Sequence, residues 1–438
     1  MIRRPKGTED ILPVEVSAWQ RLEGLIRKVC DLYNYKEIRT PIFEAGELFH
    51  RSENDASDMV TKETYDFKDK ADRSLTLRPE GTAGSVRAFI ENKLYVENPV
   101  SKVYYVGPIF RYERPQKGRQ RQFHQFGIES YGSNDPLMEV ECIALACTII
   151  KSLGLKDIKV KLNTLGDEKS RNDYRTVLVD YFKNYEDDLC PDCKERLKKN
   201  PLRVLDCKVD KEKDYFKDAP KITSYLTEES KEHFAKVVQG LENLGIEYEI
   251  DENLVRGLDY YTYTVFEIEI NSTSFGAQNV ICAGGRYNNL VKELGGPDTP
   301  AVGLAFGMER LILAVLHAGG KLALPNFLHM YVIALGQNAK NKASQLINEY
   351  RLGGLSCDMD YLGGSLKSQF KKADKNGALF TAILGDSELE NGVINIKNNE
   401  TDIQETINID DVYDYVVGYL RSKSGCGSCS GSCHHEEE

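Results

Sequence analysis

Residues beyond 327 alternate between strand-like and helix-like patterns, and this alternation restricts the fold of the last part of the chain. Short apolar runs occur at 331–336, 355–361 and 378–385, with helical patterns up to about 352 and from 365 to 376. This β-α-β-α-β order favours a mainly parallel sheet, because parallel neighbours need a crossover connection. The Gly- and Pro-containing segment 319–327 is typical of a linker. The sequence therefore predicts a separate α/β domain at 327–423.

The first 322 residues mix long helices with half-buried strands. Apolar residues at helical spacing predict helices at 14–34 and 137–153, and an apolar run predicts a long helix at 301–318. Strands are predicted at 103–110, 126–131 and 263–270. From about 166 to 240 the chain becomes rich in Lys, Asp and Glu and is locally helical, which indicates an inserted helical subdomain.

Charge and hydropathy exclude several classes of protein. The net charge of the 438-residue chain is −11, so nucleic acid would have to be bound through local basic patches rather than bulk charge. No apolar run approaches the ~18–20 residues that cross a bilayer. The first ten residues, MIRRPKGTED, lack the apolar stretch of a secretory signal. We therefore expect a cytoplasmic protein with no membrane partner.

The segment 111–129 is locally basic in this acidic chain. It contains five Arg or Lys and one acidic residue up to position 121. Arginine suits phosphate because its planar fork binds two oxygens at once. A solvated basic hairpin explains the charge equally well. It does not explain Gln125 and Glu129, which are four apart on a predicted strand and therefore share one face.

Two further segments carry polar groups at unusual places. Glu80 and Thr82 follow a strand that is broken by glycine, where a carboxylate and a hydroxyl would hold an ammonium group. The alternative is a turn in which Thr82 caps the following helix. Arg256 precedes Tyr260 and Tyr261; strand tyrosines usually pack, but a buried guanidinium needs an anionic partner.

Glycines mark two more candidate positions. Gly284 and Gly285 would let a flat ligand lie on the backbone, with Tyr287 lining the same pocket, although two glycines alone are a weak signal. Arg310 follows small residues in the segment 300–311 and is a possible phosphate clamp.

In this order the segments resemble the motifs of class II aminoacyl-tRNA synthetases. Motif 1 ends at Pro41, motif 2 covers 103–129 and motif 3 covers 300–311. RGLDYYTYTVFE (256–267) and AGGRY (283–287) resemble the two signature peptides of histidyl-tRNA synthetases of bacterial type, and RPKGTEDILP (4–13) and RPEGTA (78–83) fit the same family. One departure is Asn288-Asn289, where the family usually has Asp-Gly. It follows the pocket residues, so we expect activity to be preserved.

The resemblance implies a fold and a reaction. The fold is α/β: an α+β catalytic domain at 1–322 with a mixed or antiparallel sheet and a helical insertion at about 166–240, then an anticodon-binding α/β domain at 327–423. The reaction is activation of L-histidine by ATP, with release of pyrophosphate, followed by transfer of histidine to tRNA(His). Mg²⁺ would accompany ATP, and motif 1 would form a homodimer.

The resemblance also implies roles for individual residues. Arg111 would hold the α-phosphate and the histidine carboxylate, Arg310 the γ-phosphate, and Arg256 the other side of the α-phosphate. Glu129 and Tyr261 would bond the two imidazole nitrogens. The other implied substrate-binding residues are Glu80, Thr82 and Gln125 at the α-ammonium, Gly81 between the first two, and Tyr260 and Tyr287 along the pocket wall.

Two groups of residues are candidates for contact with tRNA. Gln116 and Arg119 in the motif 2 loop would meet the acceptor end. Lys367, Lys371 and Lys375 are spaced four apart and share one helix face, which suits anticodon-stem phosphates. A solubilising lysine face has equal weight.

Two alternatives to a histidyl-tRNA synthetase remain at this stage. One is the regulatory subunit of ATP phosphoribosyltransferase, a non-enzymatic paralogue that typically lacks the anticodon-binding domain and has eroded signature peptides. The other is a class II synthetase for another amino acid, which the peptides at 256–267 and 283–287 disfavour.

Six of the eleven cysteines form two clusters. Cys190, Cys193 and Cys207 offer three ligands, whereas a structural zinc usually has four. The second cluster, in the Gly/Ser-rich tail 424–438, consists of Cys426, Cys429 and Cys433. Both are candidate metal ligands, although reduced thiols and a flexible tail are the favoured interpretations.

Overall fold

The structure, a computed structural model, describes residues 1–51, 58–116, 118–207, 209–255, 258–270, 279–320, 322 and 327–423. Arg256 and the tail cysteines Cys426, Cys429 and Cys433 lie outside the described residues. The chain forms two compact units, Met1–Ala323 and Leu324–Glu438. None of the helices within the described ranges is long and apolar enough to cross a membrane.

The first unit is built around a large sheet. Its strands are β1 (Lys36–Glu37), β2 (Phe43–Ala45), β3 (Tyr65–Lys68), β4 (Ser74–Leu77), β5 (Ser101–Phe110), β6 (Gln122–Tyr131), β7 (Ile158–Thr164), β8 (Tyr248–Ile250), β9 (Thr262–Ile270), β10 (Val280–Arg286) and β11 (Ala301–Gly307). Its α-helices are α1 (Pro13–Leu32), α2 (Asp58–Lys62), α3 (Thr82–Glu91), α4 (Leu94–Glu97), α5 (Leu137–Ser152), α6 (Glu168–Lys183), α7 (Pro191–Lys199), α8 (Asp214–Lys217), α9 (Glu228–Asn243), α10 (Leu290–Glu293) and α11 (Met308–His317).

Eight strands form the large sheet, in the order β1-β5-β6-β11-β10-β9-β7-β8. All neighbours are antiparallel except the two outermost pairs, β1–β5 and β7–β8. Helices α1, α5 and α11 cover one face and bury a single apolar core with it. The mixed, largely antiparallel sheet expected from the resemblance is therefore present.

The prediction of one long helix at 301–318 is wrong. Residues Ala301–Gly307 form the strand β11, and only Met308–His317 is helical. The strand lies between β10 and β6 and is almost completely buried. A short apolar run of this kind has no polar alternation, so its sequence cannot distinguish a central strand from a buried helix.

The chain between β7 and β8 is helical and shares a second apolar core with the large sheet and α3. Helices α6 to α9 follow one another there, joined by short 3₁₀ turns. Their buried residues include Leu178, Phe182, Val204 and Phe216. This helical insertion accounts for the polar composition between about 166 and 240, because most of its surface is solvated.

The second unit is a five-stranded sheet with helices. Its strands are β12 (Leu328–Leu335), β13 (Cys357–Met359), β14 (Ala378–Gly385), β15 (Val393–Asn398) and β16 (Gln404–Asn408), and its α-helices are α12 (Gln337–Leu352), α13 (Leu366–Lys375), α14 (Asp386–Glu390) and α15 (Val412–Lys423). The order is β13-β12-β14-β15-β16. Strand β12 is parallel to both neighbours, as predicted, but β15 and β16 are added antiparallel. Strands joined by short connections can pair only in this way.

A buried ion pair anchors the end of β10 to α5. The Arg286 guanidinium donates to both carboxylate oxygens of Glu139, with Nε 2.7 Å from Oε1, and both residues are fully buried. His233 from α9 contacts the same carboxylate at 2.6 Å. Burial opposes ionisation of Glu139, but the hydrogen bonds from Arg286 and His233 outweigh it and lower its pKa. Sequence analysis singled out AGGRY for its glycines and tyrosine and missed the arginine.

We predict that Glu139→Gln destabilises the first unit by about 3–5 kcal/mol, because Arg286 is left buried without a counter-charge. Urea unfolding followed by the fluorescence of Trp19, the single tryptophan of the chain, measures the change in this unit. The matched control is Asp298→Asn, which breaks an exposed ion pair with Lys292 and should cost less than about 1 kcal/mol. Equal shifts for the two variants would show that the buried pair is not a structural anchor.

Candidate active site

A cavity of about 740 Å³ lies against the face of the large sheet opposite its apolar core. Strand β6 shows how the two faces are separated. Phe126 and Ile128 belong to the core, whereas Phe123, Gln125 and Glu129 line the cavity. Gln125 and Glu129 thus share the face that their spacing predicted, since successive strand residues point to opposite sides.

Glu129 is a fully buried carboxylate that is held by hydroxyl groups. The hydroxyl of Thr82 donates to Oε1 at 2.7 Å and that of Tyr105 to the same oxygen at 3.3 Å. Tyr287 donates to the other oxygen, Oε2. Tyr105 was missed by sequence analysis, although it lies on the cavity-facing side of β5. These bonds fix the direction in which the carboxylate points.

Burial makes Glu129 a weaker acid than an ordinary glutamate. Desolvation raises its pKa to about 8, and the nearby charge of Glu80 adds to the effect, while the hydroxyls of Tyr287 and Thr82 oppose it. No cation forms an ion pair with it among the residues that the structure describes. Near neutral pH, a carboxyl group with such a raised pKa readily forms hydrogen bonds with a titratable ring.

Thr82 belongs to this site and does not cap a helix. Helix α3 begins at Thr82 itself, Gly81 is the N-cap, and the Thr82 hydroxyl is directed to Glu129. Glu80 is also buried and accepts a hydrogen bond of 2.8 Å from the Tyr260 hydroxyl. The structural alternative for Thr82 is therefore wrong.

Glycines make room for the buried network. A Cβ atom at Gly303 would overlap the Glu129 carboxylate, and one at Gly81 or Gly127 would overlap the Tyr105 ring. These positions accept only hydrogen as a side chain because the strands and the polar groups are closely packed.

Three tyrosines form an aromatic part of the cavity wall. The ring centroid of Tyr260 lies 4.9 Å from that of Tyr261 and 5.6 Å from that of Tyr287. A Cβ atom at Gly285 would come within 2.9 Å of the Tyr261 ring. Gly285 of AGGRY therefore leaves room for the Tyr261 side chain, in addition to any ligand.

Two arginines face the cavity without forming ion pairs with carboxylates of the described chain. Arg111 donates to the Pro79 carbonyl at 2.8 Å and lies over the Phe123 ring. Arg310 donates to the carbonyls of Gly118 and Val280, both at 3.1 Å. Burial, and then repulsion from Arg119, lowers the pKa of Arg310. Two guanidinium groups so placed are suited to an anionic ligand.

Glu309, the residue before Arg310, connects the start of α11 to a strand of the large sheet. Glu309 accepts hydrogen bonds from the His124 backbone N–H at 2.9 and 3.0 Å and contacts its Nδ1 at 3.0 Å. The start of α11 is thereby fixed to β6. Sequence analysis gave Glu309 no role, because its partner is distant in sequence.

The candidate tRNA-binding residues occupy different environments. Gln116 and Arg119 close a tight turn by two backbone hydrogen bonds of 3.0 and 2.9 Å. Gln116 is exposed, whereas Arg119 lines the cavity and pairs with Glu113 at 2.8 Å. In the second unit Lys367, Lys371 and Lys375 are all exposed on α13.

The cysteine cluster of the insertion is brought together. Cys190, Cys193 and Cys207 are close in space, and Asp210 lies with them. Sequence analysis recognised only three ligands because it overlooked the aspartate three residues after Cys207. This correction is developed below.

Comparisons with known proteins agree with the geometry. The family model described as histidyl-tRNA synthetase matches residues 7–166 and 187–311, and that described as anticodon binding domain matches 329–419. A histidine–tRNA ligase of Bacillus cytotoxicus is 50% identical over 420 residues, which are 96% of this chain and 99% of the relative. The chain belongs to the histidyl-tRNA synthetase family.

Solved structures of this family have the same fold. The apo histidyl-tRNA synthetase of S. aureus is 41% identical, with a TM-score of 0.82 over 95% of this chain and all of the other. A structure from Bacillus halodurans C, titled as an ATP phosphoribosyltransferase regulatory subunit/histidyl-tRNA synthetase, is 22% identical with a TM-score of 0.62 over 85% of this chain and 96% of that one. The second likeness concerns the fold alone.

Membership of the histidyl-tRNA synthetase family establishes the reaction. The chain is a class II aminoacyl-tRNA synthetase that uses ATP to attach histidine to tRNA. The match of an anticodon-binding domain and the near-complete coverage of the ligases exclude the interpretation as a regulatory subunit.

The pKa of Glu129 makes the stability of the ligand-free synthetase depend on pH. Between its ordinary value of 4.5 and about 8, the folded chain holds a proton that the unfolded chain has released, so stability falls as pH rises. We predict that the wild type loses about 2 kcal/mol more stability from pH 6 to 8 than Glu129→Gln does. Unfolding followed by Trp19 fluorescence at several pH values measures this difference.

The control for this measurement is Glu141→Gln. Glu141 is half-buried on α5, outside the cavity, and pairs with Lys102 at 2.6 Å. Its substitution should leave the pH dependence parallel to that of the wild type. If Glu129→Gln were also parallel to the wild type, Glu129 would already be ionised at pH 6.

Proposed function

We propose that the cavity binds histidine and ATP together and forms histidyl-adenylate. The proposal rests on two features that line one cavity. The first is the buried carboxyl group of Glu129, which is held by hydroxyl groups. The second is the pair Arg111 and Arg310, which have no carboxylate ion-pair partner in the described chain. The carboxylate suits a nitrogen heterocycle with exchangeable protons, and the arginines suit phosphates.

Glu129 and Tyr261 bond the two imidazole nitrogens of the substrate. Glu80, Thr82 and Gln125 bind its α-ammonium next to Gly81, and Tyr260 and Tyr287 line the pocket. In the ligand-free chain Thr82 and Tyr287 already hold Glu129, so the carboxylate is orientated before histidine arrives. A pocket of this kind rejects amino acids without two ring nitrogens, because its buried polar groups would be left unpaired.

The arginines act on the phosphates. A carboxylate oxygen of histidine attacks the α-phosphorus of ATP, and the bond to the bridging oxygen breaks as pyrophosphate leaves. Arg111 holds the α-phosphate and the attacking carboxylate, Arg256 stabilises the charge that develops on the α-phosphate, and Arg310 holds the γ-phosphate. The three residues thus have positioning and electrostatic roles rather than covalent ones.

Mg²⁺ bound with ATP would neutralise part of the phosphate charge. Glu113, which also pairs with Arg119, and Glu267 in the cavity wall would offer carboxylate oxygens, the donors that Mg²⁺ prefers. These two carboxylates are therefore compatible with Mg²⁺ in the cavity.

The remaining assignments concern the whole chain. Residues 1–322 form the catalytic domain with its insertion at about 166–240, and 327–423 form the anticodon-binding domain. Gln116 and Arg119 meet the acceptor end of tRNA(His), and Lys367, Lys371 and Lys375 meet the anticodon stem. The enzyme works in the cytoplasm as a homodimer formed through motif 1, and the tail 424–438 takes no part in the chemistry.

Pyrophosphate exchange into ATP tests the site with each amino acid in turn. We predict exchange with histidine alone, and a KM for histidine that is raised about tenfold or more in Glu129→Gln, because an amide, unlike the carboxyl group, cannot release a proton to become a charged acceptor for the imidazole N–H. Glu141→Gln, outside the cavity, should keep the wild-type KM. An unchanged histidine KM in Glu129→Gln would place the imidazole elsewhere.

Neutralising the α13 lysines should weaken tRNA binding alone. We predict that Lys367→Gln/Lys371→Gln/Lys375→Gln raises KM for tRNA and lowers the slope of its log–log salt dependence by about 2, since each phosphate contact releases counterions. Histidine-dependent exchange should not change.

The charge-matched control for the lysine variant is Lys151→Gln/Lys156→Gln/Lys236→Gln, three exposed lysines of the first unit. Identical salt slopes for the two triple variants would favour the solubilising interpretation of the α13 face.

A further inference from the structure

Four potential metal ligands converge in the helical insertion. The sulfur atoms of Cys190, Cys193 and Cys207 and a carboxylate oxygen of Asp210 all lie within 4.8 Å of one another. Cys190 and Cys193 border the start of α7, and the other two follow the 3₁₀ turn after that helix. Segments from both ends of a short helix therefore meet at one point.

The spacing suits one metal ion better than a covalent bond between the sulfurs. The Sγ atoms of Cys190 and Cys207 are 3.7 Å apart. A tetrahedral Zn²⁺ with Zn–S bonds of about 2.3 Å places its sulfur ligands about 3.8 Å apart, whereas a disulfide has an S–S distance of about 2.05 Å.

Backbone groups already orientate the ligands. The Cys190 N–H donates to Asp210 Oδ2 at 2.9 Å, and the Asp210 N–H donates to Cys207 Sγ at 3.3 Å. Cys190 is the N-cap of α7, with Pro191 as the first helical residue, so the positive end of the helix dipole lies beside the first two thiols.

Burial and charge fit a closed structural site. Cys193, Cys207 and Asp210 are buried, and Cys190 is half-buried, which leaves a path for the ion to enter. Asp210 Oδ1 is buried and lies 2.8 Å from Lys213 Nζ without hydrogen-bond alignment. Three thiolates and a carboxylate around Zn²⁺ leave a net negative charge, which this ammonium group partly offsets.

We propose that Cys190, Cys193, Cys207 and Asp210 bind one Zn²⁺ as a structural site of the insertion. Thiolate-rich tetrahedral sites select zinc among the common divalent ions, and four protein ligands leave no open position for catalysis.

The site has a consequence for the active-site cavity. Leu205, Asp206 and Lys211 line that cavity and lie on either side of Cys207 in sequence. Zinc bound at Cys207 and Asp210 therefore fixes the part of the insertion that borders the cavity, at a distance from the reacting atoms.

Metal analysis of the full chain tests the proposal. After expression with added zinc and exhaustive dialysis, we expect about one Zn²⁺ per chain by elemental analysis. Cys193→Ser/Cys207→Ser should lose it. Because the tail also carries cysteines, the matched control is Cys426→Ser/Cys429→Ser/Cys433→Ser, which should retain it. Loss of zinc from the tail variant with retention in the Cys193/Cys207 variant, or no zinc in the wild type, would overturn the proposal.

A second measurement leaves Cys190, Cys193 and Cys207 in place. The tail variant loaded with Co²⁺ should show the strong visible bands of tetrahedral cobalt and thiolate charge-transfer absorption, both abolished by added Zn²⁺. Asp210→Asn should weaken Co²⁺ binding at least tenfold while the thiolate bands remain. Octahedral cobalt spectra, or a disulfide between Cys190 and Cys207 in the denatured, alkylated chain, would contradict the site.

Discussion

The alternation of side chains across the large sheet separates an apolar core from a polar cavity, and the rest of the catalytic unit depends on this separation. Along β6, the core receives Phe126 and Ile128 while the cavity receives Gln125 and Glu129. Helices α1, α5 and α11 close the core side, and residues of the other face line the cavity. A slip of one residue in the pairing of β6 would exchange the two sets and destroy both.

Two buried glutamates have different roles: one stabilises the fold, and the other contributes to ligand recognition. Glu139 has a guanidinium partner in Arg286, which lowers its pKa, and the pair fastens α5 to the end of β10. Within the described part of the chain Glu129 has only hydroxyl partners, and burial raises its pKa to about 8. The first carboxylate is neutralised within the protein, whereas the second is left to interact with a ligand.

The helical insertion also connects the stability of the fold with the active-site cavity. Its helices share an apolar core with the large sheet and α3, and the cluster of Cys190, Cys193, Cys207 and Asp210 lies beside the segment that borders the cavity. A bound metal ion would join the segments at the two ends of α7 and so make this part of the insertion more rigid.

The sequence by itself determined the family and the order of the motifs through their resemblance to known motifs. It determined the α/β alternation after residue 327 and the shared face of Gln125 and Glu129 through local spacing. Only the tertiary structure decided that 301–307 is a strand, since burial on both faces removes the alternation that would mark it. The same holds for Tyr105 and Arg286, because their partners Glu129 and Glu139 lie on other elements. It also holds for Asp210, which becomes a candidate ligand only because the fold places it near Cys190. Contacts between residues distant in sequence arise from packing, and packing leaves no periodic signal in the chain.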